Sequence, residues 1–233
     1  MLTHIADGVC EHSTVCVGRL GPVELPDGEP DCGPWRPLAV ADLYGALGKP
    51  RVLAVDGRSG SGKSTLVAGV AASVPGAVVV HTDDVAWYHD FFDWADLLAD
   101  GVLSPWRAGH DVAYRPPPWD ARGRAGAITV PSDAPLLVVE GVGAGRRAFA
   151  PFLDALIWVQ TDRVVATRRG LERDGDDVAF WDEWEARERP FLAADRPWER
   201  ADLVVNGQDV RHDLVEVGRG VPDLPPELRR LER

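Results

Sequence analysis

The stretch GRSGSGKS at residues 57–64 decides the fold of this 233-residue chain. It matches the pattern G-x-x-x-x-G-K-[ST]. The run before it, residues 51–56 (RVLAVD), is short, apolar and β-branched, which is typical of a strand buried on both faces of a sheet. Residues 63–74 predict a helix, and residues 77–81 (AVVVH) predict a second buried strand. Strand, glycine-rich turn, helix and strand together predict a βαβ unit.

A loop of this pattern, between a buried strand and a helix, binds the phosphates of a nucleotide. Its glycines let the backbone wrap a phosphate, while the amides and the helix dipole supply positive potential. Lys63 reaches the β and γ phosphates, and Ser64 ligates magnesium. We therefore expect ATP and Mg²⁺ as cofactors. The predicted nucleotide-binding residues are Gly57, Arg58, Ser59, Gly60, Ser61, Gly62, Lys63, Ser64 and Thr65.

The rest of the chain continues the α/β alternation. Further strands are predicted at 136–140, 155–160 and 201–205, short ones at 111–115 and 127–130, and helices at 37–47, 90–100, 163–173 and 178–194. The predicted class is an α/β P-loop NTPase, a three-layer α/β/α fold with a mainly five-stranded parallel sheet.

The domain organisation follows from the same pattern. Residues 1–35 are predicted to be an irregular N-terminal extension, and residues 36–233 one domain. Within that domain we expect an acceptor-binding insertion at about 83–130 and a lid at about 168–180. Cys10, His12, Cys16 and Cys32 could supply four zinc ligands, but their spacing matches no common zinc finger, so reduced thiols are the favoured interpretation.

Composition narrows the partners. With 37 acidic and 25 basic residues, the formal charge of −12 argues against nucleic acid. Neither a secretory signal nor an 18-residue apolar stretch is visible, so we expect a cytoplasmic protein with no membrane partner. Only two basic residues are lysines, Lys49 and Lys63, which suggests that the loop needs a compact ammonium group. The sequence leaves the oligomeric state open, a homo-oligomer included.

Several segments between residues 50 and 207 resemble the uridine kinase and phosphoribulokinase group of P-loop small-molecule kinases. They are GRSGSGKST at 57–65, HTDDVAWY at 81–88, VVEGV at 138–142, RGLERD at 169–174 and PFLAADRPWERADLVVNG at 190–207. The fourth is similar to the arginine-rich lid of the group, except that Gly170 replaces an arginine. The resemblance implies an ATP-dependent kinase that phosphorylates a hydroxyl group of a small molecule.

The candidate catalytic and metal-binding residues follow strand ends. An acceptor hydroxyl needs a carboxylate to take its proton; Asp83 is the first choice and Asp84 the second, and either could instead cap a helix. Ser64, Glu140 and Asp83 are the predicted metal ligands, although Glu140 could be a structural carboxylate. Arg169 and Arg173 lie four residues apart on one predicted helix and could clamp the phosphoryl group, with surface ion pairing to Glu172 or Asp176 as the alternative.

The acceptor site is predicted in an aromatic segment. Eight aromatic side chains lie between residues 87 and 119, some of which must belong to the core. The candidate substrate-binding residues are Trp87, Tyr88, Tyr114, Arg115, Trp119 and Asp120. The pyrimidine-contacting motif of the resembled group is not plainly matched at residues 114–120. The acceptor is therefore open between uridine or cytidine, another nucleoside, a sugar, a vitamin and a nucleoside-like antibiotic. A nucleotide-dependent regulatory ATPase or GTPase is the alternative of another class.

Overall fold

The computed structural model describes residues 28–175 and 177–218. Most of the predicted N-terminal extension, with Cys10, His12 and Cys16, lies outside these residues; Cys32 lies within them and is buried. Among the helices of the described residues, none is long and apolar enough to cross a bilayer.

The core of the fold is a seven-stranded sheet. Along the chain the strands are β1 (Arg36–Ala39), β2 (Val52–Gly57), β3 (Val78–His81), β4 (Val112–Tyr114), β5 (Ile128–Val130), β6 (Leu137–Glu140), β7 (Ala155–Gln160), β8 (Leu203–Asn206) and β9 (Leu214–Val217). The large sheet has the order β1-β9-β8-β7-β2-β6-β3, and β4 pairs with β5 as a separate antiparallel sheet. The five strands β3, β6, β2, β7 and β8 run parallel.

Helices cover both faces of this sheet. They are α1 (Val40–Ala46), α2 (Lys63–Ser73), α3 (Thr82–Val85), α4 (Ala95–Leu98), α5 (Ser104–Arg107), α6 (Pro117–Ala121), α7 (Arg163–Arg173) and α8 (Val178–Asp195). A π-helical turn, Ala99–Leu103, joins α4 to α5. Leu53 and Val55 of β2 pack with α1 and α2, whereas Val52 and Ala54 face the lobe that carries α4 and α5. Successive side chains of β2 thus point alternately to the helical layers on the two faces of the sheet, as expected of a strand buried on both sides.

The five predicted strands of the parallel sheet are confirmed, but the sheet is wider than predicted. Strands β9 and β1 extend it on the β8 side with antiparallel pairing. The predicted helix 37–47 is wrong at its start, since Pro37 to Ala39 belong to β1 and α1 begins at Val40. Pro37 is tolerated there because β1 is an edge strand, where a missing N–H need not break the ladder.

The predicted helix 90–100 is also wrong in its first half. The Asp90 carboxylate accepts hydrogen bonds from the backbone N–H groups of Phe92 and Asp93, at 3.0 and 3.2 Å. An aspartate that bonds the backbone two residues on forms a turn that competes with a helix. Helical structure therefore begins only at Ala95.

Candidate functional site

The loop at residues 57–64 connects β2 to α2, and only some of its amides are hydrogen-bonded within the described residues. Gly60 and Gly62 have φ angles of 77° and 99°, in the left-handed region that favours glycine. A Cβ atom on Gly60 would overlap the backbone of Ala166 in α7. Within the described residues, the N–H groups of Gly60, Gly62, Lys63 and Ser64 have no acceptor. At the N-terminus of an eleven-residue helix, such donors form a nest for an anion.

The side chain of Lys63 lies along this loop. Its buried Nζ donates hydrogen bonds to the carbonyl oxygens of Gly57 and Arg58, at 2.9 and 2.8 Å. The ammonium group thus reinforces the positive potential of the nest. The hydroxyl group of Ser61 is buried in the same loop and has no hydrogen-bond partner among the residues that the structure describes.

The side chain of Arg58 lies beside two carboxylates. Its guanidinium is buried and forms an ion pair with Glu29 at 3.0 Å, with Glu188 at 3.9 Å on its other side. Arg58 is not among the residues that line the cleft beside the anion nest. Arg58 stays a predicted member of the nucleotide-binding loop through its backbone, while its side chain joins the loop to Glu29 and Glu188.

Strands β3 and β6 bring two side chains to the edge of the sheet beside the loop. His81 and Glu140 are register partners, and Nδ1 of His81 lies 2.6 Å from Oε2 of Glu140. The hydroxyl group of Ser64 donates to Oε1 of Glu140 at 3.3 Å. Burial opposes ionisation of Glu140, but the His81 hydrogen bond and the Lys63 charge outweigh it and lower its pKa. Glu140 is therefore an ionised carboxylate next to the loop.

The oxygen atoms at this position suit a magnesium ion that keeps part of its water shell. They do not suit a metal ion that protein side chains enclose completely. Ser64 and Glu140 offer hard oxygen ligands, and Asp83 lines the same cleft. Over the described residues, no three His, Cys, Asp or Glu side chains form a group that could enclose a metal ion. Magnesium commonly keeps several waters and takes few protein ligands beside phosphates, so this sparse oxygen set suits it.

Asp83 and Asp84 have different surroundings. Asp83 is exposed to the cleft, and desolvation by the surrounding protein raises its pKa; Lys63 opposes the shift and Glu140 adds to it. Asp84 is ion-paired with Arg124, and its carbonyl oxygen accepts the indole N–H of Trp119 at 2.8 Å. Both carboxylates line the cleft, but only that of Asp84 is also paired with a residue of the inserted lobe, Arg124, among the described residues.

The cleft beside the loop has a volume of about 660 Å³. Both predicted arginines line it. Arg169 donates to the carbonyl oxygens of Gly207 and Gln208, at 2.7 and 2.6 Å, so both of its terminal nitrogens are tied to the backbone. Among the described residues, Arg173 is paired only with the adjacent Asp174, through two bonds of 2.7 and 2.8 Å, and the charges of Asp83 and Glu140 act on it.

A second cavity of about 440 Å³ opens beside the cleft. Asp83, Val142, Phe180 and Trp184 line both, so the two spaces share a wall. The other side chains of this aromatic pocket include two predicted ones, Trp87 and Tyr88. The remainder are Thr82, Ala86, His89, Phe91 and Trp94.

Four predicted substrate-binding residues are not brought to either space. Trp119 is buried, Arg115 pairs with Asp120 at 2.7 Å, and Arg115 also donates to the carbonyl oxygens of Arg124 and Gly126. Tyr114 packs its ring on Gly101, at a separate groove. These side chains stabilise the inserted lobe. Arg115, for example, donates to backbone carbonyl groups of the irregular Pro-rich segment, which need hydrogen-bond partners.

Other residues of the site were not predicted. Phe180 and Trp184 lie in the predicted helix 178–194 and are absent from the predicted site, yet both line the cleft and the aromatic pocket. The C-terminal half of α8 also reaches the loop, where Glu188 accepts the N–H of Ser59 at 2.8 Å. A signal was available in the spacing: aromatic and acidic residues four apart, such as Trp184 and Glu188, share one helix face.

Comparison with known proteins gives a limited result. No protein-family model matches the chain. No curated protein sequence matches it either. Among solved structures, the chain is similar to one described as a possible uridine kinase from Bacillus stearothermophilus, with 20% sequence identity and a TM-score of 0.45. That similarity covers 66% of this chain and 86% of the other. The class is thus defined by the chain's own geometry: an α/β protein with a glycine-rich loop of the P-loop pattern between β2 and α2.

Proposed function

We propose that this chain is an ATP- and Mg²⁺-dependent phosphotransferase that moves the γ-phosphoryl group to a hydroxyl group of a small molecule. One observation carries the proposal: the free amides of the loop and the carboxylate of Asp83 line the same cleft, and this cleft shares a wall with an aromatic pocket. Donor and acceptor sites that meet at a carboxylate are what phosphoryl transfer requires.

At the nucleotide end, the loop binds the β and γ phosphates. The N–H groups of Gly60, Gly62, Lys63 and Ser64 supply hydrogen bonds along the backbone. Lys63 would leave its two carbonyl partners in the loop and turn its ammonium to the phosphates. Arg173, whose partner Asp174 is only its neighbour in sequence, is the better placed of the two arginines to follow the phosphoryl group.

Ser64 and Glu140 would hold magnesium, with Asp83 close by. When bound, Mg²⁺ neutralises the charge that develops on the phosphate oxygens during transfer. Glu140 contributes an ionised carboxylate, because the His81 hydrogen bond helps to keep its pKa low. The hydrogen bond between Ser64 and Glu140 keeps both oxygens at the loop.

At the acceptor end, Asp83 is the proposed base. Its carboxylate takes the proton of the acceptor hydroxyl while that oxygen forms a bond to the γ phosphorus. The bond between this phosphorus and the β–γ bridging oxygen breaks, which leaves ADP. The raised pKa of Asp83, caused mainly by desolvation, makes the carboxylate a stronger base than an ordinary aspartate. Asp84 is the weaker candidate because Arg124 already pairs with it.

The aromatic pocket favours an acceptor with a flat, uncharged body. Trp87, Tyr88, Phe91 and Trp184 offer ring faces and edges for stacking. Of the described residues that line this pocket, none is a lysine or an arginine, and the guanidinium of Arg122 is stacked on the Tyr88 ring, 3.8 Å from its centroid, so the lining favours an uncharged acceptor over a phosphorylated one. A nucleoside, uridine or cytidine first, meets both conditions; a nucleoside-like antibiotic does as well, and a bare sugar does so less well.

The test is ADP release from the purified chain with MgATP, with and without hydroxyl compounds. The panel contains uridine, cytidine, purine nucleosides, a nucleoside antibiotic, a pentose and a sugar phosphate. We expect release that depends on an uncharged aromatic acceptor, with a phosphorylated product in the mass spectrum. Release that needs no acceptor would instead support a regulatory ATPase, and no release with any compound would contradict the proposal.

A further inference from the structure

A single carboxylate connects the phosphate loop to the wall of the aromatic pocket. Oε1 of Glu188 accepts the backbone N–H of Ser59 at 2.8 Å and the indole N–H of Trp184 at 3.2 Å. Ser59 belongs to the loop, and Trp184 lies one turn earlier on α8. One oxygen atom therefore receives a donor from each of the two sites described above.

Glu188 is not an ordinary surface residue of its helix. Only 4% of it is exposed, and Arg58 lies 3.9 Å from its second oxygen. A buried carboxylate costs free energy unless its oxygens are hydrogen-bonded. Here the hydrogen bonds come from the loop and from the pocket wall, so the geometry of Glu188 depends on both.

Trp184 extends the connection into the pocket. Its ring lies edge-on to Phe91 with centroids 5.3 Å apart, and stacks with Phe180 at 6.4 Å. All three side chains line the aromatic pocket. A change in the Trp184 indole position therefore changes the surface that an acceptor would contact.

We propose that Glu188 is a positioning residue that couples nucleotide binding at the loop to the shape of the aromatic pocket. The inference rests on the proposed function, since it assumes that the loop binds phosphates. When phosphate draws in the amides of the loop, the N–H of Ser59 shifts against Glu188, and the bond to Trp184 shifts with it. Coupling of this kind is reciprocal, and a factor of about ten in affinity is a typical size.

The experiment is hydrogen exchange of the full chain, followed by mass spectrometry, with MgADP as the probe. In the native sequence we expect MgADP to slow exchange in peptides of the loop, residues 57–65, and to change exchange in peptides of α8 that contain Phe180 to Phe191. In Glu188→Ala we expect the loop response to remain and the α8 response to fall to less than a third. Glu188→Gln, which keeps an acceptor oxygen, should restore the α8 response.

Glu185→Ala is the matched control. Glu185 lies on the same helix and also accepts a hydrogen bond, but from the hydroxyl group of Thr167 in α7 at 2.7 Å, not from the loop. Its removal should leave the α8 response to MgADP intact. If Glu188→Ala does not fold, Trp184→Phe replaces it, because phenylalanine keeps an aromatic ring and lacks the N–H that reaches Glu188.

The outcomes separate the two proposals. No slowing in residues 57–65 overturns the proposed function, and the coupling with it. Slowing in the loop without any change in α8 of the native sequence overturns the coupling alone. The same holds if the α8 response survives in Glu188→Ala and in Trp184→Phe, which would leave Glu188 a purely structural residue.

Discussion

The hydroxyl group of Ser64 lies 3.3 Å from Oε1 of Glu140, although 76 residues separate them in sequence. Ser64 stands in the first turn of α2, directly after β2, and Glu140 ends the neighbouring parallel strand β6. Because parallel strands end at one edge of a sheet, their following residues meet there. The pair is the point where the proposed nucleotide and metal sites join.

Lys63→Ala should lower acceptor-dependent ADP release by about 100- to 1,000-fold while the chain remains folded. The ammonium group is the proposed charge on the transferred phosphate, and loss of one such interaction typically costs a factor of about 100 to 1,000 in rate. The measurement is kcat with saturating MgATP, beside the circular dichroism spectrum. Lys49→Ala removes the other lysine, an exposed one, and should change nothing. Normal turnover by folded Lys63→Ala would end the assignment of the loop.

Asp83→Asn should lower kcat by about 100- to 10,000-fold, the usual contribution of a general base. The KM for MgATP should change little, since the carboxylate acts on the acceptor. Asp84→Asn is the matched variant: it loses the ion pair with Arg124, which is partly exposed and worth about 1 kcal/mol or less. Equal losses of kcat in both variants would contradict the division of roles between these neighbours.

The rate should depend on pH through Asp83. Its pKa is raised, first by desolvation and further by Glu140, while Lys63 and Arg173 oppose the shift. The base works only when deprotonated, so kcat should fall as pH decreases through this raised pKa, which is at a higher pH than for an ordinary aspartate. A pH profile of kcat measures this, and Asp83→Asn should remove the acidic limb.

The control for that profile is His81→Asn, because His81 also has a raised pKa and faces the same cleft through its bond to Glu140. An acidic limb that persists in Asp83→Asn and disappears in His81→Asn would assign the titration to the His81 and Glu140 pair instead.

Arg173→Ala and Arg169→Ala should fail in different ways. Arg173 is free to leave Asp174, so its loss should lower kcat by about 100-fold or more with little change in thermal stability. Arg169→Ala removes the two N–H groups that donate to the carbonyl oxygens of Gly207 and Gln208. It should therefore destabilise the fold by about 1–3 kcal/mol. Denaturant unfolding and kcat, measured for both variants, separate the two roles; a stable but inactive Arg169→Ala would reverse them.

Gly170→Ala should destabilise the fold by about 1–3 kcal/mol, because a Cβ atom there would overlap the indole ring of Trp181. Gly170→Arg, which installs the arginine of the resembled kinase group, should cost more. Gly45→Ala is the matched control in another helix: nothing lies within 4 Å of its added Cβ, so it should be neutral or gain up to about 1 kcal/mol. Thermal unfolding of the three variants tests the packing; a neutral Gly170→Ala would contradict it.

The parallel sheet could be predicted from sequence because its strands are short, unbroken apolar runs, such as residues 155–160, where prediction and structure coincide. Helix α7 also has its predicted bounds, 163–173, set by Asp162, which caps it through a bond to the N–H of Val165. Strands β1 and β9 were missed because each is four residues long and half-exposed, so local pattern alone does not distinguish them.

The site was predictable where its residues follow strands and unpredictable where it depends on tertiary contact. The loop, Asp83 and Glu140 follow directly from β2, β3 and β6. Phe180 and Trp184, which form part of the pocket wall, belong to α8, a helix that begins well after Asp83 in the sequence. Periodicity cannot say which face of that helix meets the site. Arg115 and Asp120 were predicted to bind the substrate, but they form an ion pair within the inserted lobe. The sequence does not show that these two side chains contact each other.

The ion pair between Arg58 and Glu29 has a practical consequence for anyone who shortens the protein. Glu29 is nearly inaccessible and also receives the indole N–H of Trp158 and the amide of Gln160, at 3.2 and 3.3 Å. A version trimmed to start at Arg36, where the sheet begins, would lack Glu29. The buried guanidinium of Arg58 would then keep only the carboxylate of Glu188, at 3.9 Å, among its described ion-pair partners. Residues 28–35, ahead of the first strand, thus help to support the glycine-rich loop.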